Sequence, residues 1–199
     1  MRHLAAPIKF LTCAVLLAVS DPASARSVLG LGFHGGYGES GDAESGSGRA
    51  GIHGEFRPID NLGFIGGVDF IFEEDLILID ADGEQLGFYK AKNTPVTAMA
   101  RLYLPLPKFR PFASAGVSWN FITYDNGDNI EITEDSETAF GWLLGGGAQY
   151  EASDKVGLFG EMRWEFIDAD RNLDQGTQDQ LKEFDYDRWN ALAGVTFYF

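Results

Sequence analysis

Cysteine is almost missing from this chain, and the single one, Cys13, lies in an N-terminal apolar run. A disulfide framework is thereby excluded, together with the small cross-linked secreted scaffolds that depend on one. Basic residues are scarce. Only 15 Lys and Arg stand against 30 Asp and Glu, a net charge of −15, which disfavours nucleic-acid binding because that requires a basic footprint. Long apolar runs are missing too: the longest, Phe10 to Val19, has ten residues with Thr12 interrupting it. A membrane-crossing helix needs roughly 20. What the chain does have is 25 glycines and 14% aromatic residues, both above average usage.

The N-terminal run has the layout of an export signal. Arg2 and Lys9 precede it, and Ala23-Ser24-Ala25 supplies a small-x-small cleavage site, so residues 1–25 are expected to be a signal peptide and 26–199 a single domain. Cys13 follows Thr12 and sits well inside the run, which reads as apolar filler rather than a lipid-attachment site. Beyond residue 25 there is no cysteine, and 29 acids stand against 13 bases.

Period-2 alternation then recurs eight times, each time over about the length of a tilted membrane strand. The segments are Val28 to Gly38, Arg49 to Arg57, Leu62 to Phe72, Pro95 to Leu104, Ala113 to Phe121, Phe140 to Tyr150, Val156 to Phe166, and the C-terminal stretch from Arg188 to Phe199. The seventh is the cleanest: Val156, Leu158, Met162, Trp164 and Phe166 oppose Glu161, Arg163 and Glu165. Throughout, bulky apolar residues share one parity while glycines and ionisable residues share the other. Eight strands close around an interior just wide enough for side chains, so the glycine-rich, charged parity is expected inside. Connections alternate. Pro58 to Asn61, Pro105 to Arg110 and Ser153 to Lys155 are short; Glu39 to Gly48, Glu73 to Lys92, Asp125 to Glu137 and Asp168 to Asp187 are expected to be long loops. Short periplasmic turns opposite long external loops are the asymmetry of an outer-membrane barrel.

The chain's ending points the same way. Gly194, Phe197 and Phe199 match the glycine and the spaced hydrophobic positions of the C-terminal assembly signal of bacterial outer-membrane barrels, with Leu192 where that pattern prefers a polar residue. Over residues 26–199 the sequence resembles the small outer-membrane barrels of the OmpA transmembrane-domain, OmpX and opacity-protein kind. Arg110-Pro-Phe-Ala-Ser-Ala-Gly-Val-Ser118 also resembles a strand opening of that superfamily. The resemblance implies an all-β fold, an eight-stranded antiparallel up-and-down transmembrane barrel in the outer membrane. It also implies contact with outer-membrane lipid, lipopolysaccharide and the barrel-assembly machinery, a monomeric state, and no cofactor. No peptidoglycan-binding half of the OmpA type is expected after Phe199.

The inward parity gathers His34, His53, Glu55, Arg57, Asp69, Arg101, Gln149, Glu161, Arg163, Glu165 and Arg188. Buried charges must be paired, so His53, Glu55, Arg57, Asp69, Arg101, Glu161, Arg163, Glu165 and Arg188 are expected to form a lumenal polar network. Glu161, Arg163 and Glu165 are expected to pair with Arg57, Arg101 or Arg188. Such a network plugs a barrel, or gates a small channel if an Arg–Glu pair exchanges partners. Catalysis of the kind found in lipid-modifying barrels needs a nucleophile beside an orienting base. His34 and His53 have Gly36 and Glu55, not serine, at the same-face positions two residues on, so the expectation is a non-enzyme with an envelope-structural or surface-interaction role.

The four expected loops hold 22 of the 29 acids against Lys90, Lys92, Arg171 and Lys182. Solvated repulsion accounts for this, and so does bridging by divalent cations to lipopolysaccharide phosphates. Asp125, Asp128 and Glu131 surround a turn glycine but lack the spacing of a twelve-residue calcium loop.

Overall fold

The computed structural model describes residues 28–41, 43, 45–79, 85–125, 136–168 and 187–199. The expected signal peptide lies outside these residues, as do Asp128 and Glu131. Eight strands follow one another: β1 Val28–Ser40, β2 Ser47–Ile59, β3 Leu62–Ile79, β4 Gln85–Tyr103, β5 Phe109–Asp125, β6 Ser136–Ser153, β7 Val156–Asp168 and β8 Arg188–Tyr198. Each pairs antiparallel with the next, and β1 pairs with β8, closing the barrel. Closure leaves no sheet edge along the paired wall, which satisfies backbone groups where no water is available.

Alternation sorts the two faces. Phe33, Phe70, Trp119, Trp142, Leu144 and Trp164 point outward and exposed, whereas Asp69, Ser118, Asn120, Gln149 and Glu165 have no exposed surface at all. A protein polar inside and apolar outside is turned out relative to a water-soluble fold; hydrocarbon is the solvent such an exterior fits. Small apolar clusters remain within, Ile65 with Met99 and Leu143, and Tyr103 with Phe112 and Phe159.

The wall is uneven in height. β3 to β6 have 17 to 19 residues, but β1, β2, β7 and β8 have 11 to 13, a difference on the order of 15 Å of strand. This corrects the long loop expected from Glu73 to Lys92, much of which continues β3 and β4 as a hairpin paired to Ile79↔Gln85. Two local features disguise the continuation. Pro95 lies within β4 rather than at its start, opposite a gap in the β3 ladder between Val68↔Val96 and Ile71↔Asn93, where its missing N–H has no partner to serve. A register shift then follows between Ile71 and Glu74, and such an irregularity swaps the parity just beyond it, leaving Glu73 outward and Glu74 inward.

Candidate functional site

The chemistry of this molecule is inside the barrel, where five arginines, Arg49, Arg57, Arg101, Arg163 and Arg188, meet five carboxylates, Glu55, Asp69, Glu74, Glu161 and Glu165, all buried. The strands deliver them in layers. Nearest the short periplasmic turns, Glu55 accepts hydrogen bonds from Tyr103 at 2.6 Å and Tyr198 at 2.9 Å and pairs with Arg57 at 3.1 Å. The Arg57 guanidinium lies 4.3 Å from the centre of the Tyr198 ring, within cation–π range. Gln149 lies against both tyrosine hydroxyls. Outside this layer Glu151 bridges Arg57 at 3.4 Å and Arg110 at 3.1 Å.

The next layer centres on Glu161. It takes Arg101 at 2.7 Å, Ser114 at 2.7 Å and Arg163 at 3.1 Å, and Arg101 lies 3.9 Å from the Phe112 ring centre. Above it, Asp69 is shared by Arg49 at 3.1 Å, Arg163 at 3.9 Å and His34. His34 and His53 face each other through their Nδ1 atoms at 3.2 Å, and His53 Nε2 lies 3.0 Å from Thr196 Oγ1. Towards the extracellular mouth Arg49 reaches Glu165 at 3.7 Å, and Glu74 takes Arg188 together with the hydroxyls of Ser40 and Ser47, each at 3.1 Å. β8 supplies one member to each of three layers: Tyr198, Thr196 and Arg188.

All nine residues singled out in the sequence, His53, Glu55, Arg57, Asp69, Arg101, Glu161, Arg163, Glu165 and Arg188, lie buried on the inward side. Their partners differ from the expected ones in two places. Arg163 spans Glu161 and Asp69, and Glu165 faces Arg49 rather than Arg57, Arg101 or Arg188. Arg49 was missed although it shares the parity of Arg57, eight residues on. Glu74 was assigned to an outward acidic loop; the irregularity after Ile71 turns it inward to 4% exposure, and only a strand count that skips a residue would have found it. Tyr103 and Tyr198 are not among the residues singled out, because their role lies in the hydroxyl, which parity does not reveal. The search for a serine on the histidines' own strands also overlooked Thr196, which arrives from across the closing seam.

At the other predicted site, Gly194 lies in β8, where a Cβ would come within 2.7 Å of the Phe159 ring; Phe159 in turn packs edge-on to His53 and His34. Phe197 and Phe199 face outward, Phe199 with 84% of its surface exposed and its N–H donating to Leu29 O at 2.9 Å. Asp125 ends β5.

A void lined by His34, His53, Ile65, Gly67, Thr97, Met99, Arg101, Phe159 and Arg163 offers about 10 Å³, room for roughly one water molecule. An eight-stranded barrel with an apolar exterior and a charged, filled interior defines the class: a membrane β-barrel of the bacterial outer membrane. Residues 11–197 match the family model for the outer membrane protein beta-barrel domain, and the chain belongs to that family and resides in the outer membrane. No curated protein matches the chain. Among solved structures, Neisserial surface protein A aligns with a TM-score of 0.56 at 17% identity, covering 90% of this chain and 100% of that one. The outer membrane protein OprG from Pseudomonas aeruginosa gives 0.55 at 15% identity over 88% and 97%. Ail, the attachment invasion locus protein of Yersinia pestis, in complex with the heparin analogue sucrose octasulfate, gives 0.51 at 12% identity over 87% and 97%. Identities this low concern the fold alone.

Proposed function

We propose that this protein is a closed, non-catalytic barrel that serves the envelope through its wall and its acidic extracellular loops rather than by passing solute through its lumen. The observation that carries this reading is the filled interior, in which five guanidinium groups are matched to five carboxylates beside a void of about 10 Å³. That void holds roughly one water and so admits no substrate beside the histidines, although Thr196, His53, His34 and Asp69 stand in an order that activates hydroxyls in enzymes.

The partners that suit the loops are cationic or cation-bridged. With 15 acids against two bases in the connections 41–46, 80–84, 126–135 and 169–187, a free polyanion such as the one bound to Ail would be repelled, whereas divalent ions can join carboxylates to lipopolysaccharide phosphate. The small gated channel is the second reading, favoured by one observation: Arg163 stands between Glu161 at 3.1 Å and Asp69 at 3.9 Å and can exchange one for the other. Planar-bilayer recording of the refolded protein at neutral pH decides between them. Silence is the expected result, and steady unit conductance would overturn the closed reading.

A further inference from the structure

His34 on β1 and His53 on β2 are diagonal neighbours, since His34 stands opposite Gly51 and His53 opposite Gly32. Both glycines are gaps that an imidazole crosses. A Cβ at Gly51 would lie 2.6 Å from His34 Nε2 and from Asp69 Oδ1, and one at Gly32 would lie 2.4 Å from His53 Nε2. His34 therefore reaches over β2 to Asp69 on β3, and His53 reaches over β1 to Thr196 on β8. Two side chains join four strands.

Valence fixes the direction of this row. A carboxylate only accepts, so the contact to Asp69 is donated by His34 Nε2–H. A neutral imidazole has one N–H, which leaves His34 Nδ1 bare and assigns the proton between the rings to His53 Nδ1. His53 Nε2 is then bare as well and accepts the Thr196 hydroxyl. One further proton fits: on His53 Nε2 it reverses only the Thr196 contact. A second does not, because it must sit on His34 Nδ1 and would set two N–H groups head-on across 3.2 Å.

The surroundings also oppose that second charge. Arg49 from β2, Arg101 from β4 and Arg163 from β7 are the cations around the pair. The carboxylates are Asp69 from β3, Glu55 from β2, and Glu161 and Glu165 from β7, each already beside an arginine. Thr196 from β8, Thr97 from β4 and the Phe159 ring are neutral.

We propose that the His34–His53 pair is an acid-sensitive latch on the lumen: with at most one added proton it holds β1, β2, β3 and β8 together, and the second proton separates the rings and opens the polar plug. The latch rests on the reading of a lumen closed at neutral pH, and one experiment separates the two. Bilayer conductance of the full barrel is recorded while the extracellular side is taken from about pH 8 to about pH 4, past the span over which a free histidine changes charge because the surrounding arginines oppose the second proton, for the parent and for His53→Gln and His34→Gln. Expected is a parent silent at the alkaline end with channel openings that increase about tenfold or more on acidification, and variants without that increase. Conductance already present at the alkaline end overturns the closed lumen but leaves the acid increment to judge the latch. No increment, or the same increment in both variants, overturns the latch, since carboxylates would then be the titrating groups. Should the variants fail to refold, ¹⁵N spectra of the parent's imidazoles decide. His53 is expected as the Nδ1–H tautomer and His34 as the Nε2–H tautomer, and two Nε2–H rings would refute the row.

Discussion

Acidic residues in the lumen and in the extracellular loops do opposite things. Inside, among the described residues, each carboxylate lies beside an arginine, and the tally is even; no lysine takes part there, which suits a crowded interior because a planar guanidinium serves several acceptors at fixed angles and gives up less hydration than an ammonium. In the connections 41–46, 80–84, 126–135 and 169–187, 15 acids stand against Arg171 and Lys182, and nothing obliges them to balance, since water and salt screen them. The comparison teaches that burial, not composition, decides whether a charge is a structural part or a solvated one.

The comparison is broken most severely by removing one lumenal cation. Arg163→Met keeps length but leaves Glu161 and Asp69 short of a partner, and the expected loss is about 3–5 kcal/mol, nearly as large as for Arg163→Ala. Urea unfolding of the refolded barrel in lipid vesicles measures both. A methionine variant as stable as the parent would mean that packing rather than charge matters at this position.

Glu73 and Glu74 sharpen the comparison to adjacent residues. Glu74→Gln removes the charge paired with Arg188 at the mouth and is expected to cost about 2–3 kcal/mol. Glu73→Gln disturbs an exposed pair with Lys90 and Lys92, and such pairs contribute at most about 1 kcal/mol. Equal costs in the same urea assay would contradict the inward turn of Glu74.

The smallest effect belongs to the loop between β5 and β6. Asp128, Glu131, Glu134 and Asp135 are expected to leave unfolding unchanged when neutralised, while millimolar calcium slows proteolysis across the segment by binding carboxylates. Sodium at equal ionic strength is the control. Equal protection by sodium would reduce the loop to screened repulsion.

Much of this was legible from alternation alone. The eight alternating segments place Arg101, Glu161 and Arg163 inward without reference to any neighbour, because the side-chain period of a strand is two. Where that period breaks, legibility ends. Glu74 lies beyond a register irregularity, and the β3–β4 extension hides behind Pro95 and the acids from Glu73 to Asp75. Partner choice was not legible either. Arg49 beside Glu165 and Thr196 beside His53 depend on which strands meet across the lumen, and parity does not encode that.

The strand that closes the barrel also finishes its interior. Tyr198, Thr196 and Arg188 are the final components of their respective layers, joining Glu55, His53 and Glu74 from the first half of the chain at sequence separations of 143, 143 and 114. Until β8 docks on β1, these three layers are each short of a member and stay hydrated in an open trough. Drying of the lumen and sealing of the seam are thus a single late event, and its rate is governed by the longest-range contacts in the molecule. A nascent sheet that closed early on β7 would be left with three wet, incomplete layers, so the interior itself proofreads the strand count.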